Sequence, residues 1–190
     1  MRFFLREFLG TILLALVIFL VLQATVQSFI IVGSSMEPGL HDRQRLLINK
    51  AAYIFHEPEW GDVVVFQSPN NRQTDFIKRI IALPGDAVEI KTGTVYVNGS
   101  PLDEPYIKAQ PRYQLNTKKI PENNYFVLGD NRNNSNDSHN DWTVPRQNII
   151  GKAWLSIWPP SQWGLITSYP LPEPLTSSKQ VAGTYVSSVD

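Results

Sequence analysis

Cysteine is absent from this chain of 190 residues. Its absence excludes disulfide bonds, thiolate nucleophiles and cysteine-ligated zinc sites. The three histidines, His41, His56 and His139, are widely separated, and this spacing argues against a histidine-rich metal site. We therefore expect neither a bound metal ion nor another cofactor.

An excess of charge of either sign is also missing. The chain has 17 basic and 17 acidic residues, and its isoelectric point is near 6.8. Proteins that bind nucleic acid neutralise phosphates with clustered basic residues. The charged residues here are interspersed, as on an ordinary solvated surface, so no nucleic-acid partner is expected.

Charged side chains are missing altogether from residues 8–32, FLGTILLALVIFLVLQATVQSFIIV. A helix of this length extends about 37 Å at about 1.5 Å per residue, and the hydrocarbon core of a bilayer is about 30 Å thick. A cleaved signal peptide is the alternative, but its apolar region usually has only about 7–15 residues. We predict a retained transmembrane helix over 8–32, preceded by a short segment, 1–7.

The charges beside this helix do not decide its orientation. Arg2 and Arg6 lie before it, while Arg43, Arg45 and Lys50 follow it. The positive-inside rule therefore gives nearly equal support to both orientations.

Short apolar runs separated by turn signals follow the helix. Such runs occupy residues 46–48, 63–66, 76–83, 94–97, 125–128 and 154–158. Asn98-Gly99 is a strong hairpin signal. The pattern predicts a mainly β fold, with a β-rich domain over 33–160 behind the single helix. Residues 103–123 are polar and predict a surface excursion, and 161–190, rich in Pro, Ser and Thr, predict a loosely ordered tail.

A serine lies just beyond the helix, at Ser35 in GSSMEPGL. A serine nucleophile needs a base, yet the chain has no GxSxG motif and no histidine in a recognisable triad context. A lysine can serve if burial lowers its pKa from about 10.4. Lys78 lies in the apolar strand-like run FIKRII. Taken alone, however, Ser35 is equally compatible with a helix exit and Lys78 with a surface position.

Four segments in this order resemble the type I signal peptidases, the membrane-bound Ser-Lys leader peptidases: GSSMEPGL, WGDVVVF, FIKRIIALPGD and GDNRNNSNDSH. The resemblance extends from the helix to about residue 160. It implies a serine endopeptidase that cleaves signal peptides from exported preproteins, with Ser35 as the nucleophile and Lys78 as the general base. His139 stands where many bacterial members have arginine, which is more similar to cyanobacterial and thylakoid members.

The resemblance also implies supporting roles. Ser135 matches a serine that hydrogen-bonds the lysine. Asp130 and Asp137 match acidic positions that organise the site, and Arg79 is expected to pair with one of them. Residues implied to line shallow pockets for small side chains are Phe29, Ile31, Leu40, Phe76 and Ile77.

Departures from the family pattern bear on the oxyanion hole and on pH dependence. Gly33 replaces a serine that some members use as a donor, so the backbone N–H of Ser35 remains, with Ser34 as a possible aid. Gly39 stands where threonine is common. An ion pair between His139 and Asp137 would depend on pH.

The implied topology places the amino terminus in the cytoplasm and the catalytic domain outside it, at a plasma or thylakoid membrane. Two alternatives remain at this stage. One is a self-cleaving Ser-Lys protease like the SOS-response repressors, and the other is a non-catalytic β domain tethered to the membrane. Trp154, Trp158 and Trp163 are compatible with either core packing or contact with lipid headgroups.

Overall fold

The structure, a computed structural model, describes residues 2–71 and 73–169. It begins with an apolar helix, α1 (Arg2–Thr25). The stretch Arg6–Thr25 is long and apolar enough to cross a membrane, and its side chains from Arg6 to Ala24 are exposed rather than packed on the rest of the chain. Such a surface is suited to a hydrocarbon environment.

The helix ends earlier than residue 32, the end predicted from the sequence. Strand β1 (Val26–Ile30) starts directly after Thr25 and pairs antiparallel with β2 (Arg45–Asn49), from Val26 opposite Asn49 to Ile30 opposite Arg45. The apolar residues that follow Ser28 therefore belong to the β domain. In particular, Ile31 is only 1% exposed and lies in a core cluster.

The prediction of a mainly β fold is confirmed. After β2 the strands are β3 (Val63–Gln67), β4 (Asp75–Ala82), β5 (Ala87–Lys91), β6 (Thr94–Val97), β7 (Ser100–Pro101), β8 (Leu115–Lys119), β9 (Asn124–Leu128), β10 (Val144–Pro145), β11 (Ile149–Trp158) and β12 (Gly164–Leu165). Within the described residues they form two antiparallel sheets. The larger has the order β1-β2-β11-β3-β4-β9-β10, with β12 paired to β11, and the smaller has the order β7-β6-β5-β8.

Strand β4 lies where three clusters of buried side chains meet. Ile77 belongs to a cluster with β2, β3 and the loop after β1, and Ile80 to one with β3 and β9. Ile81 belongs to a third cluster, which extends into the smaller sheet. From Ile77 to Ala82 every residue of β4 is buried. Polar side chains on this strand are therefore held in an apolar setting.

Two segments differ from the sequence-based expectation. Residues 103–123 are not merely a surface excursion, because β8 pairs with β5 and Ile120 is buried beside it. Residues 161–169 are also attached, since β12 pairs with β11. In both segments a few apolar residues extend a sheet. Their spacing in the sequence shows no clear strand period, so the sequence does not predict these strands. The remainder of the predicted tail, 170–190, lies outside the described residues.

Candidate active site

Ser35 is carried by the tight loop between β1 and β2. Met36, beside it, is 0% exposed and anchors the loop in the core. Gly33 has φ +95°, a conformation that favours glycine, and its N–H donates to Asp42 Oδ1 at 2.7 Å. The backbone of the loop is closed by the bond from Leu40 N to Met36 O at 3.0 Å. Ser35 is thereby presented, half-buried, on a fixed turn.

Lys78 reaches Ser35 from β4. Its Nζ lies 2.8 Å from Ser35 Oγ and donates to Ile77 O at 2.9 Å. The side chain is 4% exposed, and the ring centroid of Phe76 is 5.4 Å from Nζ. Burial lowers the pKa of Lys78 to about 8, although the charges of Asp137 and Asp130 oppose this change. A neutral amine can therefore accept the Ser35 proton at mildly alkaline pH.

The loop 129–139 holds the nucleophile from the other side. Asn131 N donates to Ser35 O at 2.9 Å, and Asn131 Nδ2 donates to Ser34 O at 3.0 Å. Asn134 Nδ2 donates to Ser34 Oγ at 2.9 Å. Sequence analysis missed both asparagines, since asparagine-rich loops usually only form turns. The N–H of Ser35 has no hydrogen-bond partner within the described residues, so it can donate to a developing oxyanion.

Ser135 does not make the hydrogen bond to Lys78 that the resemblance implies. Its Oγ is buried without a hydrogen-bond partner in the described part of the chain. It nevertheless adjoins the site, because a Cβ built on Gly129 would lie 2.5 Å from Ser35 O and 2.7 Å from Ser135 Cβ. Gly129 thus permits the close approach of the nucleophile loop, Ser135 and β9.

Asp137 organises the loop backbone rather than contacting Lys78 or Arg79. Its Oδ2 accepts from Gly129 N at 2.9 Å, and its Oδ1 lies 2.6 Å from His139 Nδ1. His139 in turn stacks on Tyr113, with ring centroids 4.1 Å apart. Asp137 is fully buried, so these contacts fix the loop around a carboxylate shielded from water.

Arg79 pairs with Asp130 rather than with Asp137. The pair is bidentate, with Nε donating to Oδ1 at 2.9 Å and Nη2 to Oδ2 at 2.8 Å. A second buried pair, Arg132 with Glu104, was not anticipated from the sequence. Arg132 Nε also donates to Gly129 O at 3.1 Å. The two pairs link the loop 129–139 to β4 and to the segment before β8.

A cleft of about 300 Å³ with a mixed polar and apolar lining adjoins Ser35 and Lys78. Three of the five residues expected to line it do so: Phe29, Phe76 and Ile77. The other two, Ile31 and Leu40, lie in the core cluster and not in the lining of this cleft, although Leu40 lines a second cleft of about 500 Å³. Side chains alternate along an extended chain, so Ile30 and Val32 face the cleft instead of Ile31. Gln73, Thr74 and Asp75 form its far end.

Comparisons with known proteins show which proteins this chain is similar to. The family model described as "Signal peptidase, peptidase S26" matches residues 5–158. "Probable signal peptidase I-1" of Synechocystis sp. is 43% identical over 174 residues, which cover 87% of this chain and 89% of that protein. "Signal peptidase I" of Leptolyngbya laminosa is 43% identical over 169 residues, covering 84% and 83%. "Thylakoidal processing peptidase 1, chloroplastic" of Arabidopsis thaliana is 36% identical over 140 residues, covering 68% and 41%.

The lowered pKa of Lys78 predicts how the reactivity of Ser35 depends on pH. The rate at which an aryl ester acylates Ser35 should rise about tenfold per pH unit below pH 8 and level off above it, because only neutral Lys78 accepts the proton. Mass spectrometry of the acylated protein measures this rate. Lys78→Ala should not be labelled, whereas Lys91→Ala, which changes an exposed lysine, should react normally. Labelling that does not depend on pH would contradict the assignment.

Proposed function

The chain belongs to the peptidase S26 family of signal peptidases, and from this membership we propose that Ser35 and Lys78 are its catalytic pair. As a member of this family it is a serine endopeptidase that cleaves signal peptides from preproteins. Membership sets aside a self-cleaving repressor and a non-catalytic domain. The approach of buried Lys78 Nζ to Ser35 Oγ, 2.8 Å, is the observation that carries the residue assignment.

The reaction follows from this pair. Neutral Lys78 takes the proton of Ser35 as Oγ attacks the scissile carbonyl carbon, and the resulting oxyanion accepts a hydrogen bond from Ser35 N–H. Collapse of the tetrahedral intermediate breaks the peptide bond, and Lys78 passes the proton to the leaving amine. Lys78 then takes a proton from water, whose oxygen attacks the acyl carbon. Collapse of this second intermediate breaks the bond to Ser35 Oγ, and Lys78 returns the proton to that oxygen.

Ser34 has a supporting role in this proposal. Its hydroxyl oxygen accepts from Asn134, and this leaves its own proton free to rotate toward the oxyanion. Gly33 has no side chain to contribute, so the hydroxyl of Ser34 is the nearest side-chain donor along the chain. We assign the main stabilisation to the backbone N–H of Ser35.

The substrate is proposed to bind as an extended strand along the edge strand β1. In the described sheet β1 is paired only to β2, so its other edge can pair with a peptide. Alternate side chains of that peptide would enter the cleft between Ile30 and Phe76. The preference for small side chains is carried over from the family resemblance.

The membrane arrangement is also part of the proposal. Helix α1 would cross the bilayer, with its amino terminus in the cytoplasm and the β domain on the outer side, at a plasma or thylakoid membrane. Trp154, Trp158 and Trp163 are exposed, the last by 67%, and so are Ile54 and Phe55. The short helical turn Lys50–Tyr53, just before Ile54, contacts α1. Core packing does not account for these side chains, whereas contact with lipid headgroups does.

Replacing Ser35 or Lys78 tests the catalytic pair. Ser35→Ala and Lys78→Ala should each abolish preprotein cleavage while the fold is kept, since nucleophile and base act as a unit. Lys78→Arg should be equally inactive because guanidinium stays protonated. Cleavage is measured by gel assay and folding by circular dichroism. Substantial turnover by Ser35→Ala would refute the proposal.

Ser135→Ala separates catalysis from stability. The hydroxyl is buried without a partner, so its loss should leave the melting temperature equal or higher. If the hydroxyl turns toward Lys78 during the reaction, cleavage should slow by roughly 10²-fold or more. Thermal melting and cleavage rates provide the two measurements. An unchanged rate across the pH range would show that Ser135 does not orient the lysine.

The cleft predicts selectivity at the residue before the cut. A preprotein with Ala at that position should be cleaved, and Gly or Ser should be tolerated. Leu should be rejected if Phe29, Phe76 and Ile77 form the shallow pocket for small side chains that the family resemblance implies. Relative kcat/KM values measured in competition report the selectivity. Equal values for Ala and Leu would rule out the cleft as the specificity pocket.

Removing residues 2–25 tests the second membrane contact and keeps β1. The shortened chain should still bind anionic lipid vesicles, and its tryptophan emission should shift to the blue. A control with Trp154, Trp158 and Trp163 all changed to Ala should stay in solution. Co-sedimentation and fluorescence give the readouts. If the shortened chain itself remains in solution with unchanged emission, α1 is the sole anchor.

A further inference from the structure

Residues 166–169 run behind the active site as a short strap. Ile166 N donates to Trp154 O at 2.9 Å, directly after β12 pairs with β11. Ser168 Oγ donates to Asp62 Oδ1 at 3.1 Å. The strap is therefore attached to β11 at one end and near its other end to Asp62, the residue before β3. It lies beyond residues 5–158, the part of the chain that matches the family model.

The centre of the strap covers Arg79. Arg79 Nη1 donates to Thr167 O at 3.1 Å and to Gly61 O at 2.8 Å. The guanidinium carbon lies 5.1 Å from the ring centroid of Tyr169 and 4.3 Å from that of Tyr106. The two rings contact each other, with centroids 4.8 Å apart. The strap and Tyr106 cover most of Arg79, which is 4% exposed at the wall of a cleft of about 500 Å³.

Arg79 is connected to both members of the dyad. It follows Lys78 on β4, so the two residues share a peptide unit. It also binds Asp130 through two hydrogen bonds, and the next residue, Asn131, donates its N–H to Ser35 O. A displacement of Arg79 would therefore move the general base and the support of the nucleophile together.

We propose that residues 166–169 are a positioning element of the catalytic dyad. They cover the Arg79–Asp130 pair and so keep Lys78 and Ser35 at hydrogen-bonding distance. The proposal rests on the roles given above to Ser35 and Lys78. A buried bidentate pair is directional and strong, whereas a pair opened to solvent contributes little and is screened by salt. Loss of the strap would open the buried Arg79–Asp130 pair to solvent and so weaken it.

Opening the Arg79–Asp130 pair to solvent would also increase the protonated fraction of Lys78. The charged groups that face Lys78 are Asp130 and Asp137, and Arg79 is its neighbour. Water entering beside Arg79 would favour the charged amine, and an Asp130 released from Arg79 would attract it more strongly. Both effects raise the pKa of Lys78, so the acid limb of the activity profile would move to higher pH.

The experiment compares Tyr169→Ala with Tyr169→Phe in the full chain, with a preprotein as substrate in detergent micelles. Tyr169→Phe keeps the ring over Arg79 and should retain the wild-type profile. Tyr169→Ala should lower kcat about tenfold at pH 7 with KM nearly unchanged, because a rise of about one pH unit in the acid limb reduces neutral lysine about tenfold. Activity should recover at high pH.

The outcomes separate a positioning role from a merely structural one. A shifted acid limb in Tyr169→Ala supports the proposal, and a loss of activity with an unshifted limb overturns it. If Tyr169→Ala does not fold, Ser168→Ala serves instead, with a smaller shift of the same sign expected, and no shift overturns the proposal. Full cleavage by Lys78→Ala would show that the dyad assignment, rather than the strap, is at fault.

Discussion

The removal of Lys78 from water is the constraint on which the rest of this structure depends. A pKa lowered from the ordinary 10.5 to about 8 means that the charged amine is about 3 kcal/mol less stable than in solution. This cost arises because β4 is buried over residues 77–82, where three apolar clusters meet. The packing of those clusters must offset it. Ser35 Oγ lies within 2.8 Å of this buried amine.

Polar side chains around this buried strand fix the loops that carry Ser35 and the residues in contact with it. The Arg79–Asp130 and Arg132–Glu104 pairs join distant parts of the chain. Asp137 receives backbone and ring N–H groups, and the amides of Asn131 and Asn134 hold the residue before the nucleophile. Such groups are stabilising when fully bonded and unfavourable when left unpaired. These contacts favour one arrangement of the loops around Ser35, although Ser135 Oγ is left without a partner among the described residues.

Much of this could be predicted from the sequence, for identifiable reasons. The strands are encoded by β-branched runs between turn signals, and four ordered motifs led us to expect Lys78 beside Ser35, where the structure has it. The end of α1 was misplaced because residues 29–31 are equally apolar whether they face lipid or a protein core. The Arg132–Glu104 pair could not be found because it depends on contacts between separated segments. Ile31 and Leu40 were assigned to the cleft because a motif gives their position but not the side to which their side chains turn.

The direct passage from Thr25 to Val26 has a consequence for how a substrate is found. No linker separates the helix from the first strand, so with α1 in the bilayer the cleft would lie close to the membrane surface. A substrate anchored in the same bilayer reaches it by lateral diffusion in two dimensions, already at high local concentration. Tight binding is then unnecessary, and a shallow cleft of about 300 Å³ suffices. Substrates would then be selected by the height above the bilayer at which the scissile peptide bond lies.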